Sequence, residues 1–252
     1  MIVIALFLLG LAFGSFANAV IWRLHQQEKS KDKKLSILKG RSMCPSCNHK
    51  LTANDLVPVL SWLELRGKCR YCNKKISIQY PIVELSTVVV FVVSYVFWPL
   101  QLDVGGYMQL FVWLVIAELL IILLVYDLKW MVLPNRIVFP LIVISVIYSV
   151  ILSINTDNYI TGVIGALILF GFFYVMFQLS DGRWIGGGDV KLGLALGLIV
   201  GGPLNAVLLL FIASLLGSFV SVPLLLKGAG AKTKVPFGPF LIILLLFCLE
   251  VQ

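Results

Sequence analysis

This chain has little charge and few acids. Of its 252 residues 13% are charged and 60% hydrophobic, with a mean hydropathy of +1.01. That composition excludes an ordinary soluble domain and points to a polytopic membrane protein. No basic residue precedes the first apolar run, Ile2 to Trp22, whereas Arg23 and His25 follow it. A secretory signal carries its positive charge ahead of the apolar core. This run therefore reads as a retained helix, although Ala17-Asn18-Ala19 resembles a cleavage site. No base-reading motif is present, so the net charge of +8 does not indicate a nucleic-acid partner. It reads as membrane topology and attraction to anionic lipid. No convincing internal repeat is found either, which removes one support for a transporter.

The apolar runs fall at 2–22, 81–99, 107–126, 136–154, 160–179, 190–202, 204–226 and 236–251. They predict an all-α protein with about eight transmembrane helices. With the N-terminus outside, the inside loops are 23–80, 127–136, 180–191 and 227–235. All 20 Lys and Arg residues lie in those loops or at their edges. The outside connections near 100–106, 155–159 and 201–203 carry none, as the positive-inside rule requires. The chain divides into a first helix (1–22), a cytosolic loop domain (23–80) and a seven-helix membrane core (81–252).

The loop holds 13 of the 20 basic residues and opens with a charge run, Glu28 to Lys34, read as a solvated linker. Cys44-Pro45-Ser46-Cys47 follows, and 21 residues later Cys69-Arg70-Tyr71-Cys72. Paired CxxC turns at this spacing predict a four-cysteine zinc site with Cys44, Cys47, Cys69 and Cys72 as ligands. Disulfides and redox chemistry are the alternatives, and a basic loop in the reducing cytosol disfavours both. Four thiolates fill the coordination sphere, so the metal is structural. Cys248, the fifth cysteine, reads as an apolar filler.

Two acids interrupt apolar surroundings at one depth. Asp127 ends the third run in Tyr126-Asp127, and Asp189 follows Gly186-Gly187-Gly188 at the start of the sixth. A carboxylate near hydrocarbon is costly. Two at the same level are what an acid protease needs. The plainer alternatives are an interfacial acid at Asp127 and a helix cap at Asp189. Glu118 is nine residues from Asp127 and thus on the opposite helix face; it is expected to be protonated or hydrogen-bonded to another helix. Asn18 and Glu84 are polar residues near the inner boundary; a neighbouring-helix hydrogen bond or a helix N-terminus also explains them. Gly14, Ser15, Ala17 and Ala19 permit close helix packing. Pro236-Phe237-Gly238-Pro239 fixes a bent helix entrance.

Taken together, Gly14-Ser15-Phe16-Ala17-Asn18, the two CxxC pairs, Leu65-Arg66-Gly67-Lys68, Tyr80-Pro81-Ile82-Val83-Glu84, Asp127 with Leu133-Pro134-Asn135, Gly186-Gly187-Gly188-Asp189 and Pro236-Phe237-Gly238-Pro239-Phe240-Leu241 closely resemble the type IV prepilin peptidase family. Tyr126-Asp127 with Gly-x-Gly-Asp189 also resembles the wider GxGD class of intramembrane aspartyl proteases that includes presenilin. Ala17 departs from the family, which more often has a larger apolar residue there. The resemblance implies a bacterial cytoplasmic-membrane enzyme acting on prepilins or pseudopilins. It implies leader cleavage by Asp127 and Asp189, then N-methylation from S-adenosylmethionine. No Gly-rich motif of a Rossmann-type methyltransferase is present. Asn18, Arg23 and Glu84 are the candidate donor-site residues, because only the 23–80 loop offers a polar segment large enough to cover a charged donor. A transporter with a two-carboxylate relay and a non-catalytic pilus scaffold are the rival classes.

Overall fold

The computed structural model describes residues 1–30, 36, 40–156, 160–226 and 236–248. Residues 31–34 of the predicted Glu28–Lys34 linker, the loop 227–235 and the Cys248 side chain lie outside the described residues. Nine α-helices are present among the described residues, with two isolated bridges and no strand. The chain forms two compact units, Met1–Val96 and Phe97–Gln252.

In the first unit α1 (Ile2–Ser30) packs on α3 (Gln79–Val96). Helix α1 runs eight residues past the predicted end at Trp22. Gln26, Gln27, Glu28 and Lys29 are good helix formers, and they extend an already nucleated helix. The start of the expected linker is therefore helical. Gly14 sits against α3 as its small size predicts: a methyl there would lie 2.6 Å from the Glu84 Cα. Between the two helices the loop forms a short 3-10 turn (Ala53–Leu56) and the five-residue α2 (Leu60–Glu64).

The second unit holds α4 (Val104–Trp130), α5 (Asn135–Thr156), α6 (Thr161–Leu179), α7 (Gly187–Val200), α8 (Pro203–Leu226) and α9 (Gly238–Cys248). Asp103 starts α4 by accepting a hydrogen bond from the Gly106 N–H at 2.8 Å. Met131 ends it in the left-handed region, donating its N–H to the Asp127 carbonyl. Helix α7 packs closely on α6. A methyl on Gly197 would lie 2.5 Å from the Gly165 carbonyl oxygen, so the two backbones nearly touch.

Six helices (within α1, α3, α4, α5, α6 and α8) are long and apolar enough to cross a membrane. Phe111, Leu167 and Phe219 on three of them are exposed, as lipid-facing side chains would be. The runs at 190–202 and 236–251 form shorter helices, with 14 residues in α7 and 11 described in α9.

Candidate active site and candidate metal centre

Three helix ends meet at the predicted acids. Asp127 lies in the last turn of α4 and is buried. Tyr126 beside it is fully buried, its ring 4.4 Å from that of Trp130. Asp189 lies in the first turn of α7, where its Oδ2 accepts a hydrogen bond from the Gly186 N–H at 3.2 Å. Its capping role thus occupies one oxygen. The other, Oδ1, points towards Gly238 at the start of α9. A methyl on Gly238 would stand 2.6 Å from Asp127 Oδ2 and 3.6 Å from Asp189 Oδ1. Both carboxylates therefore converge on one glycine. Asp127 Oδ2 is buried and has no hydrogen-bond partner among the described residues.

The neighbouring motif segments frame this meeting point. Leu133 packs on Gly188, where a methyl would lie 2.9 Å from the Leu133 Cβ. Lys191 Nζ donates to Asn135 Oδ1 at 2.8 Å and lies over the Phe139 ring at 5.2 Å. These contacts tie the start of α7 to the start of α5. The sequence placed Gly238 only in a bent helix entrance. Its position against the acids follows from α9 packing on α4 and α7, which no local pattern reveals. Gly238→Ala should displace the Asp127 carboxylate and lower any reaction that needs the pair by about a hundredfold, the scale of a 1 Å misplacement. Activity unchanged in a folded variant would contradict this.

Glu118 is buried in α4, and neither of its oxygens has a hydrogen-bond partner among the described residues. The expected bond to another helix is absent among the described residues.

The four cysteines come together in the first unit. Their sulfurs all lie within 4.8 Å of one another, with Cys44 Sγ and Cys72 Sγ 4.0 Å apart. Two near-copies of one turn achieve this. In the first, Cys44 N–H donates to the His49 carbonyl, Asn48 N–H donates to the Cys44 carbonyl, and Met43 bridges Lys50. In the second, Cys69, Lys74, Asn73, Lys68 and Lys75 repeat those roles. Asn48 and Asn73 both take φ 55, a left-handed conformation that Asn tolerates. Asp55 braces the turns, accepting hydrogen bonds from the Thr52 hydroxyl, the Arg70 guanidinium and the Tyr71 hydroxyl. Burial works against its ionisation. Those donors outweigh it and hold the carboxyl below its usual range.

The donor set fits a tetrahedral metal: ligand sulfurs at about 2.3 Å from zinc stand about 3.8 Å from each other. The thiols are already unequal. Burial raises the Cys44 pKa, but donation from the Ser46 and Cys47 backbone and from the Cys69 and Cys47 thiols brings it down to about 7. Cys72 is helped by the Lys74 backbone N–H. Burial and the competing thiols nevertheless push it up to about 11.

Asn18, Arg23 and Glu84 also lie in the first unit, and all three are buried. Asn18 Nδ2 donates to the Gly14 and Tyr80 carbonyls, and Asn18 Oδ1 accepts from Gln79 Nε2. Arg23 Nη2 donates to the Gly40 carbonyl at 2.8 Å. Glu84 Oε2 accepts from the Val59 N–H at 2.7 Å. Each of these side chains engages a partner within the chain.

The class defined so far is an all-helical, multi-pass membrane protein with a converging acid pair and a four-thiol cluster. The chain belongs to the type IV leader peptidase family. Residues 8–98 match the bacterial peptidase A24 N-terminal domain, and residues 114–222 match the type IV leader peptidase family itself. Relatives named prepilin leader peptidase/N-methyltransferase cover nearly the whole chain. That of Vibrio cholerae is 34% identical over 94% of this chain and 91% of its own length. That of Bacillus subtilis is 33% identical over 93% of this chain and 88% of its own. The Aeromonas hydrophila protein is 33% identical over 94% and 86%. No solved structure matches.

Proposed function

We infer that this chain cleaves the leader peptide of prepilin-like proteins and methylates the new N-terminus. The observation that carries the peptidase reading is the convergence of Asp127 and Asp189 on Gly238. Two carboxylates so placed cannot both ionise cheaply, so they hold one proton between them. The ionised member takes a proton from water. The protonated member donates a hydrogen bond to the scissile carbonyl oxygen and polarises it. Water then attacks the carbonyl carbon directly, and the amine leaves with a proton from the pair. No acyl-enzyme forms. The pair titrates as a unit, so neither Asp alone owns the proton. Gly186 and Gly187, before Asp189, let an extended substrate backbone approach the pair.

On this reading the protein works in the bacterial cytoplasmic membrane. Eight spans, the outside N-terminus and the cytosolic cysteine loop rest on the distribution of Lys and Arg. On this reading α7 and α9 complete the bundle at the cytosolic end, where both acids lie. The four cysteines hold a structural zinc that orders the loop. S-adenosylmethionine, when bound, supplies the methyl group. Methyl transfer belongs to the first unit and peptide cleavage to the second. Glu84 supports methylation by fastening the loop through the Val59 N–H.

Mass spectrometry of a prepilin incubated with the detergent-purified protein and S-adenosylmethionine tests both activities. Loss of a leader-length mass and gain of one methyl group are the expected products. Absence of the leader loss with folded protein would sink the peptidase reading. Glu84→Gln weakens the bond to Val59 and should lower methylation about tenfold while sparing most cleavage. Equal loss of both products would assign Glu84 to folding or shared substrate binding.

A further inference from the structure

The cysteine loop carries apolar residues that stand exposed among the described residues. Leu60 and Leu63 on α2 are 64% and 58% exposed, and Ile78 is 63% exposed. Leu56 and Val57, just before α2, are exposed as well. In a water-soluble segment such a group of side chains calls for a covering partner.

Their position indicates which. Ile78 immediately precedes α3, whose residues Gln79–Val96 form a membrane-span candidate, so Ile78 stands at the bilayer boundary. The bond from the Val59 N–H to Glu84 Oε2 pins the start of α2 to the second turn of that span. Val59 is held at φ 61, a conformation that a β-branched residue rarely adopts. Leu60 and Leu63 are thereby kept at the depth where α3 enters the membrane. The same stretch is basic. From residue 40 to 78 the acids are Asp55 and Glu64, against Arg41, Lys50, Arg66, Lys68, Arg70, Lys74 and Lys75. Arg70 bonds both acids, and Arg66, Lys68, Lys74 and Lys75 are exposed.

We propose that α2 and its flanks form a membrane-docking face, with Leu56, Val57, Leu60, Leu63 and Ile78 entering the headgroup region of an anionic cytosolic leaflet and Arg66, Lys68, Lys74 and Lys75 binding its phosphates. Apolar contact and lipid charge act together, as they do for surface-lying amphipathic segments. A basic peptide in the same place would be repelled by the lysines and arginines. The surface would hold the metal turns flat against the membrane.

The test uses full-length protein in nanodiscs of equal parts phosphatidylglycerol and phosphatidylcholine, with acyl chains brominated near the headgroup. Leu60→Trp adds one indole, and its emission is read as the difference from the parent protein. Leu63→Trp is a second probe should the first variant misfold, and metal content equal to the parent's confirms an intact loop. The added emission should be blue-shifted and quenched about twofold. Quenching should weaken in pure phosphatidylcholine and in the Arg66→Glu/Lys68→Glu background. Emission typical of water with no quenching would overturn the proposal. So would quenching indifferent to lipid charge and to that background. Emission that responds only when a prepilin is added would make the face a polypeptide dock, which also overturns it.

Discussion

Asp127→Asn and Asp189→Asn are each expected to abolish leader cleavage, a loss of at least about a thousandfold for a group that serves as both acid and base. The carboxamide has nearly the same shape but cannot take a proton from water. Folding should survive at both positions. At 189 the Asn side-chain oxygen can still accept the Gly186 N–H, which preserves the start of α7. At 127 the buried Oδ2 has no hydrogen-bond partner to lose among the described residues. Gel or mass analysis of a prepilin, with thermal unfolding as the folding control, reads the result. Near-normal cleavage by either folded variant would remove the pair from the mechanism.

Cys69→Ser should reduce bound zinc from about one equivalent per chain to almost none. Cys69 is buried and anchors the second cysteine turn through two backbone bonds, and among the described residues only the four cysteines form the cluster. Without the metal, residues 40–78 have too small an apolar core to hold their shape. Limited proteolysis should cut there first, while the helices of the second unit stay resistant. Elemental analysis of the purified protein gives the metal count. A zinc-free parent protein with four freely alkylated thiols and full activity would contradict the assignment.

Much of this protein was legible before any coordinate. The apolar runs reveal helices because each must satisfy its backbone within itself in lipid. Lys and Arg mark the loops by an electrostatic bias that needs no tertiary detail. The CxxC turns are local: six residues around Cys44 and six around Cys69 set the ligand geometry almost alone. Helix extent was less legible, because the residues after Trp22 are polar yet good helix formers, and α1 continues through them to Ser30.

The candidate site was legible in its acids and not in its third wall. Asp127 and Asp189 stand out because charge is costly near hydrocarbon. Gly238 has no side chain to stand out. Only the packing of α9 on α4 and α7 brings it onto both carboxylates. The same holds for Glu84. Its sequence context suggested a helix N-terminus or a ligand contact, and the fold gave it the Val59 N–H, 25 residues away. Composition and short spacings thus determined the class and the chemistry on offer. Which oxygen faces which atom was decided by contacts between residues far apart in the chain, whose energies depend on the complete packing and leave no periodic trace in the sequence.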